Sequence, residues 1–115
     1  MSAFRPSSQM HDDTLTIHLC DAQTQSWESF EGVLDLTYLG EIIGIEILGL
    51  SLQLNGGHVL KSTGSGFPRW SYDDEVDALY IRITEGPGQV QATVFGRASL
   101  DASGGLTALE IAVPQ

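Results

Sequence analysis

The sequence predicts a mostly β fold: two pseudo-symmetric antiparallel units of three to four strands, packed as a sandwich or roll. Three observations lead there. The chain repeats itself at an offset of 64 residues, apolar and polar residues alternate with a period of two, and no stretch shows a convincing helical period. At that offset Asp13-Thr14-Leu15-Thr16-Ile17-His18-Leu19 lies over Asp77-Ala78-Leu79-Tyr80-Ile81-Arg82-Ile83 without a gap. Gly32 meets Gly96, Leu36 meets Leu100, Gly40 meets Gly104, and Glu46-Ile47 meets Glu110-Ile111. Nine of the 36 positions from 13 to 48 are identical, and most others keep their apolar or polar character. One copy is too small to bury its apolar faces. The two are therefore expected to pack about a pseudo-twofold as one compact domain over 1–115, with copies at 9–60 and 69–115 and a linker at 61–68.

In the first strand of copy one, Leu15, Ile17 and Leu19 alternate with Thr16, His18 and Cys20; its counterpart alternates Leu79, Ile81 and Ile83 with Ala78, Tyr80 and Arg82. A second strand follows a polar stretch, at about 29–36 and 93–100. Thr37-Tyr38-Leu39-Gly40 and Asp101-Ala102-Ser103-Gly104 then read as tight hairpin connections whose glycine takes a positive φ. The third strands span 42–48 and 106–113. In the first of these, Ile43, Ile45 and Ile47 point one way and Ile42, Gly44, Glu46 and Leu48 the other, so the strand is apolar on both faces and suits a place between layers or against a second chain. Residues 50–60 read as a hairpin, with a short helix ending at Asn55-Gly56 as the alternative.

Apolar residues make up 42% of the 115, enough for a core without a disulfide, and Cys20 is the only cysteine. Five basic against fifteen acidic side chains leave a net charge of −10, which excludes the phosphate neutralisation that nucleic-acid binding needs and docking on anionic membranes. Met1 to Met10 holds no apolar stretch of signal-peptide length, and the apolar run at 42–54 is broken by Gly44, Glu46, Gly49, Ser51 and Gln53. A cytoplasmic protein is the simplest expectation.

Tyr72-Asp73-Asp74-Glu75-Val76-Asp77-Ala78-Leu79-Tyr80-Ile81-Arg82 resembles the opening signature of a small prokaryotic family, domain of unknown function 2283. Gly32-Val33-Leu34-Asp35-Leu36 followed by Gly40-Glu41-Ile42-Ile43-Gly44-Ile45-Glu46-Ile47-Leu48 resembles its closing signature, a hairpin ending in Gly-Ile-Glu-Ile. The likeness covers nearly the whole chain as two tandem copies of what is usually one unit. It implies a small β-rich fold and brings no catalytic residues. Copy one departs from the pattern, with Gln9-Met10-His11-Asp12 where the Tyr-Asp-x-Glu lead-in would stand.

Candidate ligand or partner residues are Tyr72, Asp73, Glu75, Asp77, Tyr80, Arg82, Glu46 and Glu110. Asp73, Asp74, Glu75 and Asp77 form the densest charge, and hard cations want such oxygens. An EF-hand numbered from Asp73 would need glycine at 78 and glutamate at 84 but finds Ala78 and Thr84, so a solvated turn opening a strand is expected. His18 and Cys20 share a strand face, and with His11, Asp12 and Asp13 nearby they supply zinc-type ligands; Asp73 and Asp77 complete the metal candidates. No paired CxxC or HxxxH motif supports them. Glu46 and Glu110 occupy equivalent positions, as do His18 and Arg82, so each glutamate is expected to pair with the basic residue of its own copy. The serines lack a nucleophile elbow, Cys20 lacks a supporting base, and Gly86-Pro87-Gly88 precedes no helix that would bind phosphate.

These readings point to a non-enzymatic protein-interaction or binding module without a cofactor. It is expected to self-associate as a homodimer, with a basic protein as a further partner suited to its acidity. The alternative is a small divalent-metal-binding protein or metal-dependent hydrolase, whose activity EDTA would abolish and one metal restore.

Overall fold

Eight strands and one helical turn make up the chain in the computed structural model, which describes residues 4–56, 58–59 and 66–114. They are β1 (Ser7–His11), β2 (Thr14–His18), β3 (Ser26–Leu36), β4 (Ile42–Leu48), α1 (Leu50–Gln53), β5 (Arg69–Asp73), β6 (Ala78–Arg82), β7 (Val90–Leu100) and β8 (Leu106–Ala112). The alternations at 15–19 and 79–83 become β2 and β6, and the long second and third strands fall where the patterning places them. β1 and β5 are further strands that hairpin onto β2 and β6. Residues 50–53 form a single helical turn rather than a hairpin arm, because Gly49 enters the left-handed region at φ 64° and turns the chain out of β4.

All eight strands share one antiparallel sheet in the order β1-β2-β8-β7-β3-β4-β6-β5. Exchanging each strand for its counterpart, 64 residues away for β2, β3 and β4 and 62 for β1, and reading from the other edge returns the same order. The centre of this symmetry is the β3–β7 pair, where Glu31 faces its own counterpart Phe95. Both central ladders shift register at matching places, Asp35/Leu36 and Ser99/Leu100. Both hairpin turns close alike: Gly40 and Gly104 each have φ 85°. Thr37 Oγ1 accepts from the amides of Leu39 and Glu41 (3.3 and 3.1 Å) as Asp101 Oδ1 accepts from those of Ser103 and Gly105 (2.9 and 2.8 Å).

The two copies do not pack as separate units. β2 pairs with β8 and β6 with β4, so the opening hairpin of each copy lies on the closing strand of the other. The sheet curls into a half-barrel, a roll rather than a two-layer sandwich. Its inner face gathers Leu15, Ile17, Phe30, Leu34, Ile45, Ile47, Leu79, Ile81, Leu109 and Ile111, with Leu50 and Leu54 of the connecting segment closing over them. That segment then crosses to the far half, where Leu106 N donates to His58 O at 2.8 Å. Most of the expected linker, 61–65, lies outside the described residues; 66–68 lead into β5.

Candidate functional site

A row of hydrogen-bonded polar side chains lies on the outer face, where β3, β4, β6 and β5 run side by side. Gly44 on β4 is the key to their arrangement. It stands opposite Asp35 on one side and Arg82 on the other, and with no side chain it leaves a gap across β4. Tyr80 leans through that gap, so a Cβ on Gly44 would sit 2.7 Å from its hydroxyl oxygen. The hydroxyl donates to Asp35 Oδ2 at 3.0 Å, and Gln91 Nε2 on β7 donates to Asp35 Oδ1 at 3.1 Å. Burial, followed by the hydrogen bond to Asp35, raises the Tyr80 phenol above its ordinary pKa. Glu46 is the cross-strand neighbour of Tyr80, and Arg69 that of Arg82. Arg82 donates to the carbonyl of Gly86, and Arg69 lies 3.6 Å from Glu85 and 4.6 Å from the Phe67 ring centre. A shallow cleft of about 280 Å³ lies among Arg69, Trp70, Ser71, Tyr80 and Arg82. The equivalent positions in the other half carry Ser99, Ala108, Thr16 and His18, so this polar row belongs to one half alone.

Asp77 has a different task. It stands at φ 54° at the end of the β5–β6 turn, and both its carboxylate oxygens accept from Ser51 N, at 3.1 and 3.0 Å. Ser51 Oγ donates to Oδ2 at 2.7 Å, and the Tyr72 hydroxyl donates to Oδ1. Gly49 has no side chain to cap α1, so Asp77 caps the turn from across the sheet. The donors from Tyr72 and Ser51 hold the Asp77 carboxyl below its ordinary pKa, and the same bond raises Tyr72. Asp73 accepts from Glu75 N at 3.0 Å within the same turn, which is a turn opening a strand, as its composition predicts.

Glu110 pairs with Arg97, Nε to Oε1 at 2.7 Å, and Arg97 also stacks on Trp27 at 4.3 Å from the ring centre. The expected pairing of Glu110 with Arg82, and of Glu46 with His18, does not form. The copies exchange strands, so β8 and β6 stand four places apart in the sheet, roughly 19 Å at ordinary strand spacing, and β2 and β4 stand equally far apart. Cys20 Sγ donates to Leu106 O at 3.8 Å. His18 lies in the half opposite Asp73 and Asp77, and among the described residues no three His, Cys, Asp or Glu side chains gather as a metal centre. Asp35 and Gly44, which stand in the signature resembled at 32–48, and Gln91 complete the Tyr80 row, but nothing in the sequence places them beside Tyr80. Only the register that brings β3, β4, β6 and β7 side by side assembles them.

The chain matches no protein-family model, no curated protein and no solved structure. Among the described residues no helix is long and apolar enough to cross a membrane.

Proposed function

We propose that the chain is a non-enzymatic, cytoplasmic interaction module built from two tandem copies of a unit like domain of unknown function 2283, and that it self-associates as a homodimer. One observation carries the reading: the sheet is open. Among the described residues the sheet ends at β1 and β5, and an end strand such as β1 offers backbone donors and acceptors to another chain. The outer face adds uncovered apolar surface, with Phe95 66%, Leu48 52% and Trp27 41% exposed. Trp, Phe and Arg are the side chains that anchor protein interfaces, and Arg97 sits on Trp27 beside Phe95. β3 and β6 flank β4 within the sheet, so the expected contact of β4 with a second chain would run through its outer face, where Leu48 stands exposed.

The acidity, −10 over the chain, fits a basic protein as a further partner. Sedimentation velocity across a concentration series tests the central claim. A dimer that dissociates on dilution supports it; a monomer at every concentration up to about 100 μM, where weak association of order 10⁻⁴ M would already show, sinks it.

A further inference from the structure

Resting on that self-association, we infer that the homodimer forms by antiparallel pairing of β1 with β1 of a second copy, about a twofold axis at Gln9. The backbone of Ser7-Ser8-Gln9-Met10-His11 decides which groups can pair. His11 and Thr14 close a two-residue turn in which Asp12 stands at φ 53°. The pair that closes such a turn is hydrogen-bonded, and bonded and unbonded pairs alternate along an antiparallel ladder. Ser7, Gln9 and His11 therefore bond to β2, while the N–H and C=O of Ser8 and Met10 point away from it. Among the described residues β2 is the only strand beside β1, and no other backbone group bonds to Ser8 or Met10.

A twofold at Gln9 uses those outward groups. Run antiparallel, Ser8 falls opposite the partner's Met10, Ser7 opposite the partner's His11, and Gln9 opposite its own equivalent. Each Ser8–Met10 pair then exchanges both N–H···O=C bonds. The side chains follow the pleat. Gln9 shares the outer face with Thr16, and its amide meets the partner's amide with a donor and an acceptor on each side. Met10 lies beside Leu15 on the inner face yet stays 51% exposed. Pairing brings the two Met10 side chains together on the diagonal, within reach of so long a side chain, and carries the apolar inner face from one copy into the next. The strand holds no lysine, proline or bulge between residues 7 and 11 to deter a second strand.

Charge selects the direction. Arg5 precedes the strand and makes no ion pair among the described residues. Asp12 opens the turn at the other end, its side chain 90% exposed and 3.7 Å from the His11 ring. Antiparallel pairing lays each Arg5 beside the partner's Asp12, whereas parallel pairing would set the two Asp12 carboxylates together. Pro6 has no N–H and stops the ladder at the strand's own length, so Arg5 reaches the turn by its side chain. A β1-to-β5 contact would be heterologous and would not close at two copies, whereas β1-to-β1 closes as a dimer.

A symmetric cross-link tests this. The twofold sets residue 9 opposite its own equivalent in an unbonded pair, at a Cα separation of about 4.5 Å and within reach of a disulfide. With Cys20→Ser removing the native thiol, Gln9→Cys should give a covalent dimer under mild oxidation, and Ser71→Cys at the centre of β5 should not. Ser8→Pro removes an N–H that bonds only across the dimer, so it should abolish association while the circular dichroism and melting curve stay close to wild type. Arg5→Glu should weaken the dimer about fivefold by placing like charges together at both ends. Phe95→Asp on the outer face should leave it unchanged. A dimer in sedimentation with no Gln9→Cys cross-link, a Ser71→Cys cross-link, a dimer undisturbed by Ser8→Pro or lost in Phe95→Asp, or a ladder of higher species overturns the β1 assignment while self-association stands. Monomer throughout removes both.

Discussion

Gly44 shows how much one missing side chain decides. Its emptiness lets Tyr80 cross β4 and reach Asp35, linking three strands on the outer face. An alanine Cβ there would lie 2.6 Å from the Ile81 carbonyl oxygen and 2.7 Å from the Tyr80 hydroxyl, so backbone as well as side chain must move. Gly44→Ala is expected to destabilise by about 1–3 kcal/mol in urea denaturation and to displace Tyr80. Asp77 carries a pH signature. Its folded carboxyl is held below the unfolded value, so its contribution is present in full above an unfolded pKa of about 3.9 and fades as pH falls through the folded one. Asp101, lowered by donors from Ser103 and Gly105, acts in the same direction. Asp77→Asn should therefore melt below the wild type at neutral pH, with the gap closing in strong acid. A gap independent of pH would contradict the capping role.

Among the elements, α1 is the one whose purpose is clear only from its neighbours. The register of β3 with β4 runs no further than Val33↔Glu46, while the matching ladder of β7 with β8 continues to Gly96↔Ile111. Gln53 occupies the splay. Its Oε1 accepts from Glu31 N at 2.7 Å, and its Nε2 donates to Glu31 O and Leu48 O at 2.9 and 2.8 Å, so one amide side chain stands in for a missing strand residue. Gln53→Ala should cost about 1–2 kcal/mol, since water replaces part of these bonds at the surface. Gln53→Glu, although closest in shape, should cost more at neutral pH, because it sets carboxylate oxygens against two carbonyls. Chemical denaturation of both variants checks the order. The strands with a clean period of two were legible because each presents one apolar face to the core. β1 and β5 were not, since edge strands of five residues bury little and need no alternation.

For the whole molecule, the strand exchange between copies is the decisive feature. It makes one continuous sheet from the two halves, ending among the described residues at β1 and β5, on a chain that carries −10. Charge and edge then act in opposite directions. Two such chains repel at long range, so the proposed homodimer should tighten as salt rises from about 10 mM to about 150 mM and the screening length shrinks from roughly 30 to 8 Å. A complex with a basic partner should weaken over the same range. Sedimentation or calorimetry at the two salt concentrations separates the two modes of association.

The sequence by itself determined the β class, the inward-facing residues and the two glycine turns. These depend on local rules: an alternating strand has one apolar face, and a tight turn needs a residue that accepts positive φ. It determined the acidity too, and so the kinds of partner that long-range charge favours. Which strand pairs with which was decided only in the tertiary structure. Glu46 and Glu110 stand at equivalent positions, yet one neighbours Tyr80 and the other binds Arg97. Periodicity assigns a residue to a face but says nothing of the strand beside it. In this fold that strand belongs to the other copy, because pairing β2 with β8 and β6 with β4 joins both halves around one core.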